Sequence, residues 1–312
     1  MNVLLLGGGG YLGTRLAEFL CGLDVNVSVF DLFWFGNHIT NPEVYVETKN
    51  IIDISEEEYQ GYDVVVYLAG LSNDPMAEFS PSLNYIHNAS YPVICAHKAK
   101  AADVKKFIFA SSCSIYGVGR MCKEHDSPST NYPYGISKWQ AESGLKLLQD
   151  NDFQVVCLRK GTLGGDSPRM RFDLCVNKMY KDATLNKKIT VYDPDAQRPI
   201  LDIRDAITAY TSVIFSNKYM EDTYNIISEN VSILEIATRI KHHFIEDVSI
   251  EIEGKSEVRD YSADWSSANN DFGFMGSYML EDTIDELVGY EYDFADDQTI
   301  NIKVFKKLEG KL

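Results

Sequence analysis

The sequence predicts an α/β protein: a doubly wound parallel sheet with helices on both faces, followed by a smaller C-terminal α/β lobe. Three observations predict it. Short apolar runs alternate with amphipathic stretches through the first half, the pattern of repeated strand–helix–strand units. Val64-Val65-Val66-Tyr67-Leu68 is apolar without alternation, as befits a strand covered on both faces. A glycine cluster, Gly7-Gly8-Gly9-Gly10-Tyr11-Leu12-Gly13, stands where the first apolar run gives way to a helical pattern.

Strands are expected at 2–6, 26–30, 44–46, 63–68, 106–110 and 155–158, with helices at 12–20, 88–102 and 137–149 between them. Beyond residue 160 the pattern loosens. A polar stretch containing Gly and Pro covers 161–171, and a helix follows to about residue 182. A strand at 189–192, a helix at 205–216, a strand at 223–227 and a helix at 233–244 come next. Ser232 followed by Glu235 has the spacing of a capping box for that last helix. The tail, 293–312, carries no pattern that assigns it. The division expected is a nucleotide-binding unit at 1–165, joined by about 198–228, and a second lobe made mainly of 166–312.

Composition narrows the function. The 312 residues carry a formal charge of −17, with 45% hydrophobic and 24% charged residues. That is a chain able to fill a sizeable core, and its acidity argues against a nucleic-acid binder or a partner of anionic membranes. No apolar run approaches the ~20 residues of a membrane span, and no basic leader precedes the first strand-like run. The six cysteines form no CxxC pair, which suits free thiols in the cytoplasm, and the scattered histidines give no metal-ligand spacing, so no metal is expected.

Glycines at 7, 10 and 13 between a strand and a helix allow backbone N–H groups to approach a pyrophosphate at the helix N-terminus. Asp31 ends the second strand 24 residues after Gly7, near the spacing of the acid that binds a ribose 2′-hydroxyl. An acid there repels a 2′-phosphate, so the cofactor expected is NAD rather than NADP. Further along, Tyr134 and Lys138 stand four apart at the start of a helix and share a face. An ammonium beside a phenol favours the phenolate and fits the tyrosine for proton transfer. Taken alone the pair is also compatible with an ordinary surface pair. The stretch Ser111-Ser112-Cys113-Ser114 follows the apolar run 107–109, at the carboxyl end of a strand where ligands of such sheets bind.

These motifs, in this order, resemble the extended short-chain dehydrogenase/reductases that act on nucleotide-diphosphate sugars, the group containing UDP-glucose 4-epimerase. The resemblance covers about residues 1–290 and rests on GGGGYLG at 7–13, Asp31, Asp53-Ile54, Leu68-Ala69-Gly70, Asn88, SSCSIYG at 111–117, YGISK at 134–138 and RPILDIRD at 198–205. It implies a Rossmann unit that binds NAD through Gly7, Gly10, Tyr11, Leu12, Gly13, Asp31, Leu32, Asp53, Ile54, Leu68, Ala69, Gly70, Ser72, Asn88 and Ser111, with Asp53 and Ile54 flanking the adenine. It implies Tyr134 as acid/base, Lys138 holding the nicotinamide ribose and acidifying Tyr134, Ser112 as the catalytic hydroxyl and Ser114 as its helper. For a UDP- or GDP-linked sugar it implies Thr162, Arg198 and Arg259 as substrate residues, and a homodimer through the helices at 88–102 and 137–149. SPRMR at 167–171 is similar to a subgroup that includes C4 dehydrogenases of GDP-heptoses. Arg169 and Arg171 are there either phosphate ligands or salt-bridge partners within the lobe.

The departures also carry information. Related 4,6-dehydratases place Asp-Glu directly after the catalytic hydroxyl, where this chain has Cys113 and Ser114. Enzymes that epimerise at C3 or C5 place a cysteine at the position of Ser114, one residue from Cys113. Both reactions are therefore disfavoured. Asp202 replaces the histidine usual in the 198–205 run. The reading reached is an NAD-dependent nucleotide-sugar 4-epimerase. The alternative is net C4 oxidation or reduction by the same residues.

Overall fold

The computed structural model describes residues 1–220, 222–244, 247–254 and 259–308. The first half runs β1 (Asn2–Leu6), α1 (Tyr11–Cys21), β2 (Asn26–Asp31), β3 (Tyr45–Thr48), β4 (Val64–Tyr67), α2 (Asp74–Phe79), α3 (Pro81–Tyr85), α4 (Tyr91–Ala101), β5 (Lys106–Ser112), β6 (Val118–Cys122), α5 (Pro133–Lys146) and β7 (Gln154–Lys160). The second runs β8 (Thr162–Gly164), α6 (Cys175–Asn186), β9 (Lys188–Tyr192), β10 (Gln197–Asp202), α7 (Ile203–Phe215), β11 (Thr223–Ile226), β12 (Glu229–Ser232), α8 (Ile233–His242), β13 (Ser249–Glu253), β14 (Asp260–Ala263), α9 (Ser266–Phe272), α10 (Leu280–Val288) and α11 (Asn301–Leu308).

Seven strands form one sheet in the order β11-β7-β5-β4-β1-β2-β3, every pair parallel. The chain winds one way from β1 to β3 and the other way from β4 onward. The switch point therefore lies between the carboxyl ends of β1 and β4, where ligands of open α/β sheets bind. Strand periodicity sorts the core. Val3 and Leu5 join a cluster that continues through α1 and α7 into the second half as far as Leu287, while Leu4 and Leu6 pack with Tyr67, Phe107, Ala96 and Leu145 on the other face.

Where elements differ from the sequence expectation, a local contact explains it. The strand expected to end at residue 110 runs on to Ser112, because Ser111 and Ser112 pair with Arg159 and Lys160 of a β7 that is itself longer. The helix expected from residue 137 starts at Pro133, whose missing N–H costs nothing in a first turn. The helix expected from 88 begins at Tyr91, after a π turn over Ile86–Ser90. The helix expected from 205 starts at Ile203, since the Asp202 carboxylate accepts from the N–H of Arg204 at 2.8 Å. Ser232 caps α8 as its spacing predicts, accepting from the N–H of Glu235 at 3.1 Å.

The short strands β6, β8, β10 and β12–β14 escaped the sequence reading, because each finds its partner far along the chain. β14 pairs with β6, and β10 lies between β8 and β12. The tail holds α11, whose Phe305 is buried against Trp34, Leu71, Met76 and Phe79. Residues 309–312 of the expected tail, and Val258 beside Arg259, lie outside the described residues. Among the described residues no helix is long and apolar enough to cross a membrane.

Candidate active site

A cavity of about 470 Å³ opens at the switch point and collects residues from both halves of the chain. Its first wall is the loop after β1. Gly7 has φ +79°, and a Cβ there would meet the Ala69 backbone at 2.4 Å, so only glycine lets the β1 and β4 loops approach this closely. At Gly10 the nearest atom to such a Cβ is 3.6 Å away, so that side of the loop is open. Gly10 precedes α1 without a side-chain cap, and the first turn of α1 carries no acid. The free N–H groups and the positive end of the helix dipole are therefore left for an anion. Asp31 holds its place through both oxygens, which accept from the N–H of Gly9 at 2.9 Å and of Phe33 at 2.7 Å. Burial raises its pKa. Leu32, Leu68, Ala69, Gly70 and Ser72 complete this wall with Tyr11, Leu12 and Gly13. The set fits a dinucleotide: an anion cradle at a helix start with a carboxylate at the end of the neighbouring strand.

Tyr134 and Lys138 reach the same cavity from the first two turns of α5, and Ser112 and Ser114 from the end of β5 and the turn after it. The Ser112 hydroxyl lies near the Tyr134 phenol and counts among the influences that lower its pKa. It also accepts from the N–H of Ser114 at 3.1 Å, which fixes the turn. The Ser114 hydroxyl lies 3.4 Å from the Tyr261 phenol. The Lys138 ammonium donates to the Ala110 carbonyl at 2.9 Å and stands 5.8 Å from the Tyr134 ring centre.

The electrostatics correct one expectation. Burial pushes the Tyr134 phenol above its ordinary 10, and Asp74 adds to the rise. Arg171 and the nearby Ser112 hydroxyl oppose it, and Lys138 is not among the largest influences. Lys138 is itself pushed well down by burial and by the neighbouring Lys160. Desolvation outweighs the ammonium in the protein alone, so acidifying the phenol needs further positive charge in the cavity.

Among the described residues, six basic side chains line the cavity, Lys138, Lys160, Arg169, Arg171, Arg198 and Arg259, against three carboxylates, Asp31, Asp74 and Asp173. An acidic protein thus concentrates positive charge at one place. Arg198 donates to the Gln197 carbonyl at 2.8 Å and lies 5.7 Å from the Tyr261 ring. Arg259 is ion-paired with Asp74. Thr162 lines the same region at the start of β8. Arg171 makes a two-pronged pair with Asp173, both contacts at 2.9 Å. Arg169 makes no such pair. It stacks over the Phe35 ring at 4.0 Å, feels the charge of Asp31, and donates to Asn301 at 2.6 Å, whose amide in turn donates to Ser72 at 2.8 Å. Its Nε and Nη1 are buried with no hydrogen-bond partner among the described residues, and burial drives its pKa down to about 9.

Four residues expected in the site do not line the cavity. The Ser111 hydroxyl donates to Glu142, which is locked to Arg159 beneath the sheet. Asn88 is fully buried behind Gly70, donating to the Leu71 carbonyl at 2.8 Å and to Asn84 at 2.7 Å, and so shapes the loop at 68–72. Asp53 and Ile54 stand outside the lining, while Asn50 and Ile51 take part in it. Cys113 points away, donating to the Arg159 carbonyl at 3.2 Å. Asp202, the departure in the 198–205 run, is buried as a cap, paired with Arg204 and accepting from Thr283 at 2.6 Å. Residues that sequence reasoning missed are Phe33, Trp34 and Phe35, Asp74, Lys160, Tyr261 and Asn301. Three consecutive aromatics one residue beyond Asp31, after Leu32, were a visible signal, whereas Asn301 had none.

Comparison with known proteins agrees with this geometry. The profile of the NAD dependent epimerase/dehydratase family matches residues 3–226, and the chain belongs to that family. It is 30% identical over 151 residues to the N-acetyl-alpha-D-glucosaminyl-diphospho-ditrans,octacis-undecaprenol 4-epimerase of Escherichia coli O157:H7, covering 46% of this chain and 43% of that one. It is 27% identical over 182 residues to the UDP-glucose 4-epimerase of Pasteurella multocida, covering 51% and 52%. The chain thus spans about half the length of these curated relatives. Among solved structures, UDP-glucuronic acid 4-epimerase from Bacillus cereus, in complex with UDP-glucuronic acid and NAD, superposes with a TM-score of 0.82 at 22% identity, covering 99% of this chain and 100% of that one. MoeE5 in complex with UDP-glucose and NAD gives 0.83 at 20% identity, covering 93% and 98%. At those identities the likeness is one of fold.

Proposed function

We propose that this protein is an NAD-dependent nucleotide-sugar 4-epimerase. The observation that carries the reading is that Ser112, Tyr134 and Lys138 line one cavity with a dinucleotide cradle and the arginines Arg198 and Arg259. The Gly7–Gly13 loop, Asp31, Leu68–Ser72 and Lys138 hold the dinucleotide. Bound there, NAD supplies reversible hydride acceptance at the sugar carbon. Arg198 and Arg259 hold the substrate diphosphate, with Thr162 beside them. Tyr134 takes the proton of the C4 hydroxyl, and Ser112 holds the developing carbonyl oxygen. Rotation of the 4-keto sugar presents its other face, and Tyr134 returns the proton to the new alcohol.

Arg169, read from the sequence as either a phosphate ligand or a salt-bridge partner, belongs on this reading to the dinucleotide end, where Nε and Nη1, unpartnered among the described residues, meet phosphate. No carboxylic acid follows Ser112, and the thiol of Cys113 is turned away, which disfavours dehydration and thiol-driven epimerisation at C3 or C5. Two copies pair through α4 and α5, where Ile94 and Trp139 are exposed, and the enzyme works in the cytoplasm. Sedimentation checks the pairing.

The deciding experiment incubates the purified enzyme with UDP- and GDP-sugars and no added cofactor. Interconversion of 4-epimers supports the reading. A stoichiometric change at 340 nm without turnover replaces it with net oxidation at C4.

A further inference from the structure

Of the three carboxylates that line the cavity among the described residues, two are fully engaged. Asp31 uses both oxygens on backbone N–H groups, and Asp173 uses both on Arg171, with Asn73 donating to one of them at 2.8 Å. Asp74 differs. One oxygen pairs with Arg259, while the other is buried with no hydrogen-bond partner among the described residues. The residue is 6% exposed. A buried acceptor left empty is costly unless something fills it in the working state.

The fold holds that carboxylate in place. Asp74 opens α2, where Asn73 caps the helix by accepting from the N–H of Met76 at 3.1 Å and Pro75 stiffens the first turn. Burial raises the pKa of the Asp74 carboxyl, Arg259 and Arg198 oppose that rise, and the charge of Asp74 in turn raises the pKa of the Tyr134 phenol. Asp74 lines the same cavity as Tyr134 and is paired with Arg259, so it belongs to the space shared by the proposed proton-transfer group and the proposed diphosphate clamp. A sugar tethered at one end and reacting at the other must lie beside it.

We propose that Asp74 selects the sugar: its unpartnered oxygen accepts hydrogen bonds from ring hydroxyls and excludes sugars that carry a carboxylate. The proposal rests on the nucleotide-sugar reading and deepens it to neutral sugars. A uronate would set a second anion against a buried carboxylate, and such a like-charge contact is an effective rejecting element. A hydroxyl brings a donor to the one vacant acceptor.

The test is calorimetric titration of the NAD-loaded enzyme with UDP-glucose and UDP-glucuronic acid, with GDP-mannose and GDP-mannuronic acid, and with UDP and GDP alone. On the nucleotide that binds, the wild type is expected to favour the neutral sugar by about 100-fold, the scale of one close like-charge contact in a partly screened site. In Asp74→Asn the gap is expected to shrink to within roughly fivefold, through tighter uronate binding. Asp74→Ser provides the same comparison if the Asn variant does not fold. Equal affinity of the wild type for both sugars, or an unchanged gap in a folded variant that still binds the bare nucleotide, overturns the proposal. If neither nucleotide nor any of the four sugars binds, the nucleotide-sugar reading fails and takes the proposal with it.

Discussion

The Arg169 guanidinium donates to the Asn301 side-chain oxygen at 2.6 Å, although the two residues lie 132 positions apart. Through that bond, and the Asn301 bond to Ser72, the last helix is tied to the loop after β4. Phe305, one turn further on, packs beside Trp34 with ring centres 5.8 Å apart. The end of the described chain is thus a side wall of the dinucleotide cradle. It also explains how an arginine with two empty donors is held facing the cavity.

Asn301→Ala should weaken cofactor binding. It removes a hydrogen bond to a charged group, about 1.5–3 kcal/mol, which corresponds to roughly 10- to 100-fold in affinity. NADH fluorescence titration measures it, and the affinity for the nucleotide of the substrate should change less than about twofold if Arg169 serves only the dinucleotide. An unchanged NADH affinity would mean that α11 contributes packing alone.

Tyr134→Phe should reduce turnover by about 10²–10⁴, the usual scale of a lost general acid/base. Cofactor affinity should stay within about twofold, because the ring remains and only its oxygen goes. Full turnover in this variant would remove Tyr134 from the chemistry. Ser112→Ala should fall less steeply, since Ser112 holds an oxygen and transfers no proton.

The pH profile follows from the environment of the same phenol. Burial raises its pKa above the ordinary 10, so the reactive phenolate is scarce at neutral pH until nearby positive charge offsets the desolvation. Turnover should therefore climb with pH on its acidic limb. Arg171→Met removes the cation that opposes the rise. The limb should move upward by about one unit, and turnover at pH 7 should fall about tenfold, because each unit of pKa changes the ionised fraction tenfold. A limb that stays in place would show that Arg171 does not act on the phenol.

The parts legible in the sequence were those set by local chemistry. Gly7, Gly10 and Gly13 announce a loop that approaches an anion, Asp31 sits at a readable distance from it, and the i, i+4 spacing of Tyr134 and Lys138 puts both on one face of α5. What stayed hidden depends on contacts across long separations. β6 and β14 pair only with each other and leave no periodic trace, and Asn301 reaches Ser72 from 229 residues away. Ser111 shows the limit within a motif. Neighbours on a strand face opposite sides, so Ser112 reaches the cavity while Ser111 turns to Glu142. The balance between burial and charge at Tyr134 was hidden for the same reason, since it depends on Asp74 and Arg171, which lie far from it in the chain.

Lys160 gives a stability signature. It ends β7, donates to the Ser111 carbonyl at 3.1 Å, and is pushed down to about 7 by burial. In the unfolded chain its pKa is the ordinary 10.5. Between those values the unfolded state binds more protons than the folded one, so stability rises with pH through this window, and below about pH 7 the penalty for burying the charge is fully present. Lys138, also driven down by burial, acts with the same sign. Each such group contributes a slope of at most about 1.4 kcal/mol per pH unit. The cofactor-free protein should therefore melt at a higher temperature at pH 9 than at pH 7. Lys160→Met should flatten that rise and be more stable than the wild type at pH 6.5, as thermal unfolding at the three pH values will read. A wild-type melting temperature that falls over the same range would mean that Lys160 keeps an ordinary pKa in the folded protein.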